Sequence, residues 1–321
     1  MAKRQIAAGI DIGGTNTVFG LVGREGEILS QGIIRTGEFD RIEDFVATLC
    51  NKINEALEKA GDATELMGYG IGAPMGNIYK GIMEQPSNLP WKGILPLAGL
   101  FSEHTSLPVT VTNDANAAAM GEMIYGGAKG MKNFVVITLG SGLGSGFVID
   151  GRLVYGASGF AGELGHTAVR QGSSGRICGC GRKGCLETYV SGPGISRTVL
   201  KIMADSTTDS PLREINFNTL NSKIIYEAAL SKDPIALQAF EYTGKILGSK
   251  LADVVALTDP EAVFLFGGLA EAGDLIFGPA RKSMEENLLS IYRGRVKLLP
   301  SQLSTHNAAL LGAASLVWSK K

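Results

Sequence analysis

The feature that most constrains the fold is a stretch of sequence that occurs twice. Residues 6–22 read Ile-Ala-Ala-Gly-Ile-Asp-Ile-Gly-Gly-Thr-Asn-Thr-Val-Phe-Gly-Leu-Val and close at Gly26 and Ile28. Residues 134–149 read Phe-Val-Val-Ile-Thr-Leu-Gly-Ser-Gly-Leu-Gly-Ser-Gly-Phe-Val-Ile and close at Gly151 and Leu153. Laying Ile12 on Leu139 puts Gly13 on Gly140, Leu21 on Val148 and Val22 on Ile149. Each copy predicts a buried strand, a glycine turn, a second strand, a polar turn and a third strand. Helical spacing follows the first copy from Arg41 to Ala60, with Ile42, Phe45, Val46, Leu49, Cys50, Ile53 and Leu57 on one face. Cys50 therefore reads as core. A chain of 321 residues exceeds what one core usually serves, so two α/β units of related design are expected.

Glycines at a tight strand-to-strand turn let backbone N–H groups converge on an anion, which suits phosphate. Neither turn is a Walker loop, and neither opens directly onto a helix as a dinucleotide fingerprint does. One isolated copy reads more readily as an ordinary hairpin with glycine at positive φ. Two copies, one in each half, predict that Gly13, Gly14, Thr15 and Asn16 face Gly140, Ser141 and Gly142 across a polyphosphate. Asp11 ends the first strand at that turn. A carboxylate among phosphates repels them unless it engages a cation, which predicts Mg²⁺. A third glycine turn, Gly267-Gly268, closes the apolar strand Ala262–Phe266 after a helix from about Ile235 to Leu257. It holds the strand-end position where α/β proteins bind ligands, and its bare backbone would let a flat base lie close.

A second signal lies between residues 162 and 187. Three of the four cysteines, Cys178, Cys180 and Cys185, fall within eight positions, and His166, one of three histidines, lies upstream. Thiolates and an imidazole are the donors tetrahedral zinc prefers, and a Cys3His set closes its coordination shell. Such an ion shapes a site and performs no attack on substrate. Disulfides mostly require an oxidising compartment, and no secretory segment is expected before Asp11. Gly179, Gly181 and Gly184 allow tight folding about one point. With one ring nitrogen on the metal, His166 keeps a proton on the other as a fixed donor. Beside Glu163 and Glu187 that donor would grip a polyol. Asn88, in the proline-bracketed loop Gln85–Trp91, adds an amide, or is simply a turn residue.

The β-branched strand Val109–Thr112 ends in Asn113-Asp114 and runs into the helix-forming Ala115–Met120. One of the two polar residues suffices as an N-cap. The other is a candidate for chemistry, and Asp114 is placed to accept a proton from a substrate hydroxyl. The net charge of −1 argues against a phosphate-backbone binder. The apolar stretch Ala308–Trp318 is too short to span a membrane. Only the polar stretch Asp205–Asn221 has the composition of a mobile segment.

Taken together these residues resemble the ROK sugar kinases, relatives of the hexokinase–actin ATPases. The likeness runs over essentially the whole chain. It rests on Asp11-Ile-Gly-Gly-Thr15, Asn113-Asp-Ala-Asn116, Gly162-Glu-Leu-Gly-His166, Cys178-Gly-Cys-Gly-x-x-Gly-Cys-Leu-Glu187 and Gly267-Gly268. It implies a two-lobed ribonuclease H-like α/β fold with a structural zinc loop. Residues 1–117 and 306–321 would form the small lobe and 118–305 the large one, the last helix returning to the first lobe. It implies Mg²⁺-ATP at the two turns, with adenosine near Gly267-Gly268. Asp114 would be the base, with Asn88, Asn113, Glu163, His166 and Glu187 around the sugar. Zinc would sit on His166, Cys178, Cys180 and Cys185. A cytoplasmic homodimer phosphorylating a hexose, glucose by preference, is the resulting expectation. The family's other hexose and amino-sugar kinases, its sugar-sensing regulators and polyphosphate as donor are the alternatives. The loop Ala73-Pro-Met-Gly-Asn-Ile78 departs from the family's usual Pro-Gly-x-Val-Asp, and Ser141 replaces a more usual threonine.

Overall fold

The computed structural model describes residues 3–86, 89–170, 172–303 and 308–319. The first sequence copy forms β1 (Arg4–Ile12), β2 (Asn16–Gly23) and β3 (Ile28–Arg35), followed by α1 (Ile42–Ala60) and β4 (Thr64–Gly72). Short strands β5 (Gly76–Asn77), β6 (Ile82–Glu84) and β7 (Ile94–Leu95) then lead through α2 (Leu97–Ser102) to β8 (Val109–Thr112) and α3 (Asp114–Ile124). The second copy forms β9 (Phe134–Leu139), β10 (Leu143–Ile149) and β11 (Arg152–Leu153). It continues through α4 (Gly192–Asp205), α5 (Ser222–Leu230), α6 (Pro234–Thr258), β12 (Ala262–Phe266), α7 (Asp274–Asn287), β13 (Lys297–Pro300) and α8 (Ala308–Trp318).

The two large sheets share one plan. Their orders are β3-β2-β1-β4-β8 and β11-β10-β9-β12-β13. In each, the three hairpin strands are antiparallel and the last two run parallel to the first. The duplication is thus in the topology as well as in the sequence. The registers differ by one residue: Ile12 pairs with Thr17, whereas Leu139 pairs with Leu143. The first turn therefore holds one residue more. Beyond it the gapless sequence match slips, so Val148, opposite Phe134, takes the place of Val22, opposite Ala7.

Each sheet buries its own apolar cluster. α1 contributes Phe45, Val46, Leu49, Cys50 and Ile53 to the first, and α6 contributes Phe240, Leu247, Leu251 and Val255 to the second. Between them lies α3, which meets α8 on one side and β9 and β10 on the other, while α8 also covers β1 and β4. Small residues make these approaches possible. A Cβ on Gly70 would lie 1.9 Å from the carbonyl oxygen of Ala313, one on Gly312 2.5 Å from that of Ala117, and one on Gly146 2.7 Å from that of Ala115. Many of the chain's 44 glycines are therefore contact points between elements.

Two segments read one way from sequence are explained by side chains. The polar stretch after Asp205 is tied down by Arg213, which donates to the carbonyls of Thr208 (2.8 Å) and Met203 (3.1 Å), with Leu212 and Leu220 buried beneath it. The loop Ala73–Ile78 docks on the second unit. The buried Asn77 donates to the Ser158 carbonyl at 2.7 Å and accepts from the backbone N–H groups of Tyr79 and Lys80. Its amide is consumed by this bridge. No helix among the described residues is long and apolar enough to cross a membrane.

Candidate active site

The parallel strands of both sheets end at one cleft. At its floor Asp11 of β1, Gly72 of β4 and Thr112 of β8 pair in one row. Asn113 and Asp114 follow directly. Asn113 is the N-cap of α3, accepting from Asn116 N at 2.7 Å. Asp114 therefore begins the helix with its carboxylate near the positive end of the dipole, and its Oδ1 accepts from Ala115 N at 2.9 Å. Of the two polar residues read from sequence, the first caps and the second is left for chemistry.

Asp11 is half-buried and Asp114 keeps an open face to water, though protein crowds both carboxyls. Burial and the charge of Asp114 push the Asp11 carboxyl up to about 7. Burial likewise raises Asp114 above the ordinary carboxylate range, against the backbone hydrogen bonds that stabilise its charge. In the second sheet the residue equivalent to Asp11 is Thr138, whose hydroxyl accepts from Gly144 N at 3.1 Å. Asp11 is thus the strand-end acid of the first sheet, and a threonine hydroxyl stands at its place in the second.

The turns themselves are rigidly backed. Gly13 N donates to Asn16 O at 3.0 Å, and buried Thr36 donates to Gly13 O at 2.8 Å while accepting from Thr17 at 2.9 Å. In the second turn Gly140 N donates to Gly142 O at 3.0 Å, and Gly192 N donates to Gly140 O at 2.8 Å. Gly13, Gly14, Gly140 and Gly142 all have negative or extended φ, so neither turn is the positive-φ hairpin. Gly13 and Gly142 are glycine for space: a Cβ on Gly13 would lie 2.7 Å from Asn16 O, and one on Gly142 2.5 Å from Glu187 Oε2, whereas Gly140 has nothing within 4 Å. Gly14, Thr15, Asn16, Gly140 and Ser141 are exposed to the cleft. Gly267, with φ +100°, folds the third turn against the end of β9, where its Cβ would meet Leu139 O at 2.7 Å, and Gly268 has open space around it.

The cysteine segment lies beside the second turn. The ligand atoms of His166, Cys178, Cys180 and Cys185 are all within 4.8 Å of one another. The Sγ atoms of Cys180 and Cys185 are 3.7 Å apart, and Cys178 Sγ is 3.8 Å from His166 Nδ1. Tetrahedral zinc with Zn–S bonds of ~2.3 Å holds its sulfurs ~3.8 Å apart; a disulfide needs ~2.05 Å. The donors and spacing fit the metal. Gly181 and Gly184 have φ of +85° and +82°, and a Cβ on Gly184 would strike Arg170 O at 1.6 Å. Gly179 differs from the expectation, with ordinary φ and nothing within 4 Å, because the chain there faces solvent.

With Nδ1 turned to the sulfurs, His166 Nε2 points to Glu163 Oε2 at 3.8 Å. Burial raises the Glu163 carboxyl, His166 opposes it, and the nearby charges of Asp114 and Glu187 add to the rise. Asn88 lies outside the described residues. Sequence reasoning passed over Arg176, whose half-buried guanidinium donates to the carbonyls of Thr188 (2.8 Å) and Gly194 (2.9 Å) and to Thr198 Oγ1 (3.0 Å). It lies 4.4 Å over the Tyr189 ring. An arginine in a polar loop carries no sequence mark of burial. Gly72 was also missed, since a strand-end glycine has no local signature.

Paired sheets of this topology, meeting at two glycine turns and a strand-end acid, define the actin/hexokinase-type ATPase fold. The chain belongs to the ROK family, whose profile matches residues 7–320. It is 36% identical to a glucokinase of Streptomyces coelicolor over 97% of both chains. A solved ROK family glucokinase of Streptomyces griseus, in complex with glucose and AMPPNP, superposes with a TM-score of 0.79 at 34% identity. That match covers 97% of this chain and 98% of the other. A ROK family transcriptional regulator homologous to the E. coli MLC protein superposes at 0.84 with 29% identity, over 98% of this chain and 77% of the regulator.

Proposed function

We propose that this protein is an ATP-dependent hexose kinase acting on glucose. The observation that carries the reading is the position of Asp114, at the first turn of α3 and beside Asp11, with Glu163, His166 and Glu187 around the adjoining space. In the proposed reaction the sugar 6-hydroxyl oxygen attacks the γ-phosphorus, the bond to the β-bridging oxygen breaks, and Asp114 takes the hydroxyl proton. A carboxylate whose pKa lies above the usual range is a stronger base for that step. The N–H groups of Gly13–Asn16 and Gly140–Gly142 would hold the phosphates, and Gly267-Gly268 would flank the adenosine. Magnesium, when bound through Asp11, supplies charge neutralisation, the main requirement of phosphoryl transfer. Asn88, Asn113, Glu163, His166 and Glu187 would bind the sugar. Zinc, when bound by His166 and the three cysteines, supplies a fixed geometry and leaves the Nε2 proton of His166 directed at the acceptor pocket.

The same reading divides the chain into a lobe of residues 1–117 with 306–321 and a lobe of 118–305 that close on the substrates. It also makes the active form a cytoplasmic homodimer. A coupled ADP-release assay across glucose, mannose, fructose, allose, N-acetylglucosamine and N-acetylmannosamine tests it, with polyphosphate as a second donor. Glucose should give the highest kcat/KM. The second reading is a sugar-sensing regulator, favoured by the 0.84 superposition on a regulator. Sugar binding without turnover of any panel member would establish that reading instead.

A further inference from the structure

Glu187 touches both halves of the proposed reaction. One carboxylate oxygen, Oε2, accepts the backbone N–H of Leu143, the residue that closes the second glycine turn, at 3.1 Å. The other, Oε1, lies 3.6 Å from the Cys178 thiol of the His166–cysteine cluster. Its place against the turn exists only because residue 142 has no side chain: a Cβ there would sit 2.5 Å from Oε2. Gly142 does not have a positive φ, so conformation does not demand glycine at this position. Gly140, on the other side of Ser141, has nothing within 4 Å of its Cβ position. The two glycines of one turn therefore serve different purposes. One leaves the cleft open, and the other makes room for an acidic side chain belonging to the acceptor pocket.

We infer that Glu187 is a positioning residue that couples acceptor binding to donor binding, by fixing the second turn through Leu143 N as it orients toward the sugar. The inference rests on the sugar-kinase reading given above. A hydroxyl that draws the carboxylate into one rotamer also fixes the turn N–H groups that would receive phosphate. By reciprocity the nucleotide must tighten sugar binding by the same factor.

The test measures binding, with no turnover involved. Glucose affinity is determined by calorimetry without and with saturating magnesium-AMPPNP, in the wild type, Gly142→Ala, Gly140→Ala and Glu187→Asp. In the wild type AMPPNP should tighten glucose binding by roughly fivefold or more. Gly142→Ala, whose methyl displaces Oε2, should weaken glucose several-fold even without nucleotide and bring the coupling factor close to one. Glu187→Asp, withdrawn from Leu143 N by a methylene, should lose the coupling while retaining the wild-type zinc content. It serves in place of the alanine variant should that one not fold. Gly140→Ala should leave glucose affinity without nucleotide at the wild-type value. The inference is overturned if Gly142→Ala and Glu187→Asp keep the wild-type coupling factor, or if Gly142→Ala weakens AMPPNP alone. A wild type that binds no sugar would overturn the inference and the sugar-kinase reading together, whereas sugar binding without coupling removes the inference only.

Discussion

Asp11 and Asp114 meet at Gly72: a side chain built on Gly72 would lie 3.5 Å from Oδ1 of Asp11 and 3.7 Å from Cα of Asp114. Gly72, at the end of β4, stands between β1, which carries Asp11, and β8, which runs into Asp114, so the two acids share one cleft floor. Burial is the main reason each carboxyl resists ionisation, and at Asp11 the charge of Asp114 adds to it; together they set the pH behaviour of the site.

With its folded pKa raised from 3.8 to about 7, Asp11 binds its proton more tightly in the fold than in the open chain. Its contribution to stability is full below about 4 and is lost as pH rises through about 7. Magnesium requires the ionised form, so magnesium-AMPPNP affinity should increase roughly tenfold between pH 6 and pH 8. Asp11→Asn should flatten this profile and weaken binding, and Asp114→Asn should move its midpoint to lower pH. Calorimetry across pH checks all three.

Asp114→Ala should lower kcat by about 10²–10⁴-fold, the usual contribution of a positioned base. Glucose affinity should stay within a few-fold, because Asn113 continues to cap α3. Steady-state kinetics with a separate binding measurement distinguish the two; turnover near the wild-type rate would remove Asp114 from its role.

Cys185→Ser should reduce bound zinc to well below one equivalent and lower both Tm and sugar affinity. Structural zinc sites contribute on the order of 10 kcal/mol to folding. Metal analysis and thermal denaturation test this, and a folded, zinc-free variant with unchanged glucose affinity would dismiss the ion as organiser of the pocket.

Arg176→Ala should destabilise the protein by about 1–3 kcal/mol, since it takes a hydrogen bond from the Thr188 carbonyl and empties the space over Tyr189. Because Thr188 follows Glu187, KM for sugar should increase more than KM for ATP. Denaturant titration and kinetics at saturating co-substrate separate the two effects.

Gly70→Ala and Gly268→Ala should diverge. The first places a methyl 1.9 Å from the Ala313 carbonyl between β4 and α8, and should cost about 1–3 kcal/mol or more. The second has open space, so Tm should hold while nucleotide affinity falls if adenosine lies there. Thermal melts with AMPPNP titrations report both.

Local patterns sufficed for much of this protein. Apolar runs broken by glycine marked β1, β2, β9 and β10, helical spacing marked α1, and cysteine spacing marked the cluster with His166, because each depends on residues near in sequence. What lay out of reach depends on residues far apart that fold together. The one-residue slip between the copies, the consumption of Asn77 by Ser158, the hydrogen bonds of Arg176 and the spaces held open by Gly70, Gly72 and Gly142 each need a partner from another element. No spacing rule encodes where that partner's backbone passes, so only packing decided them.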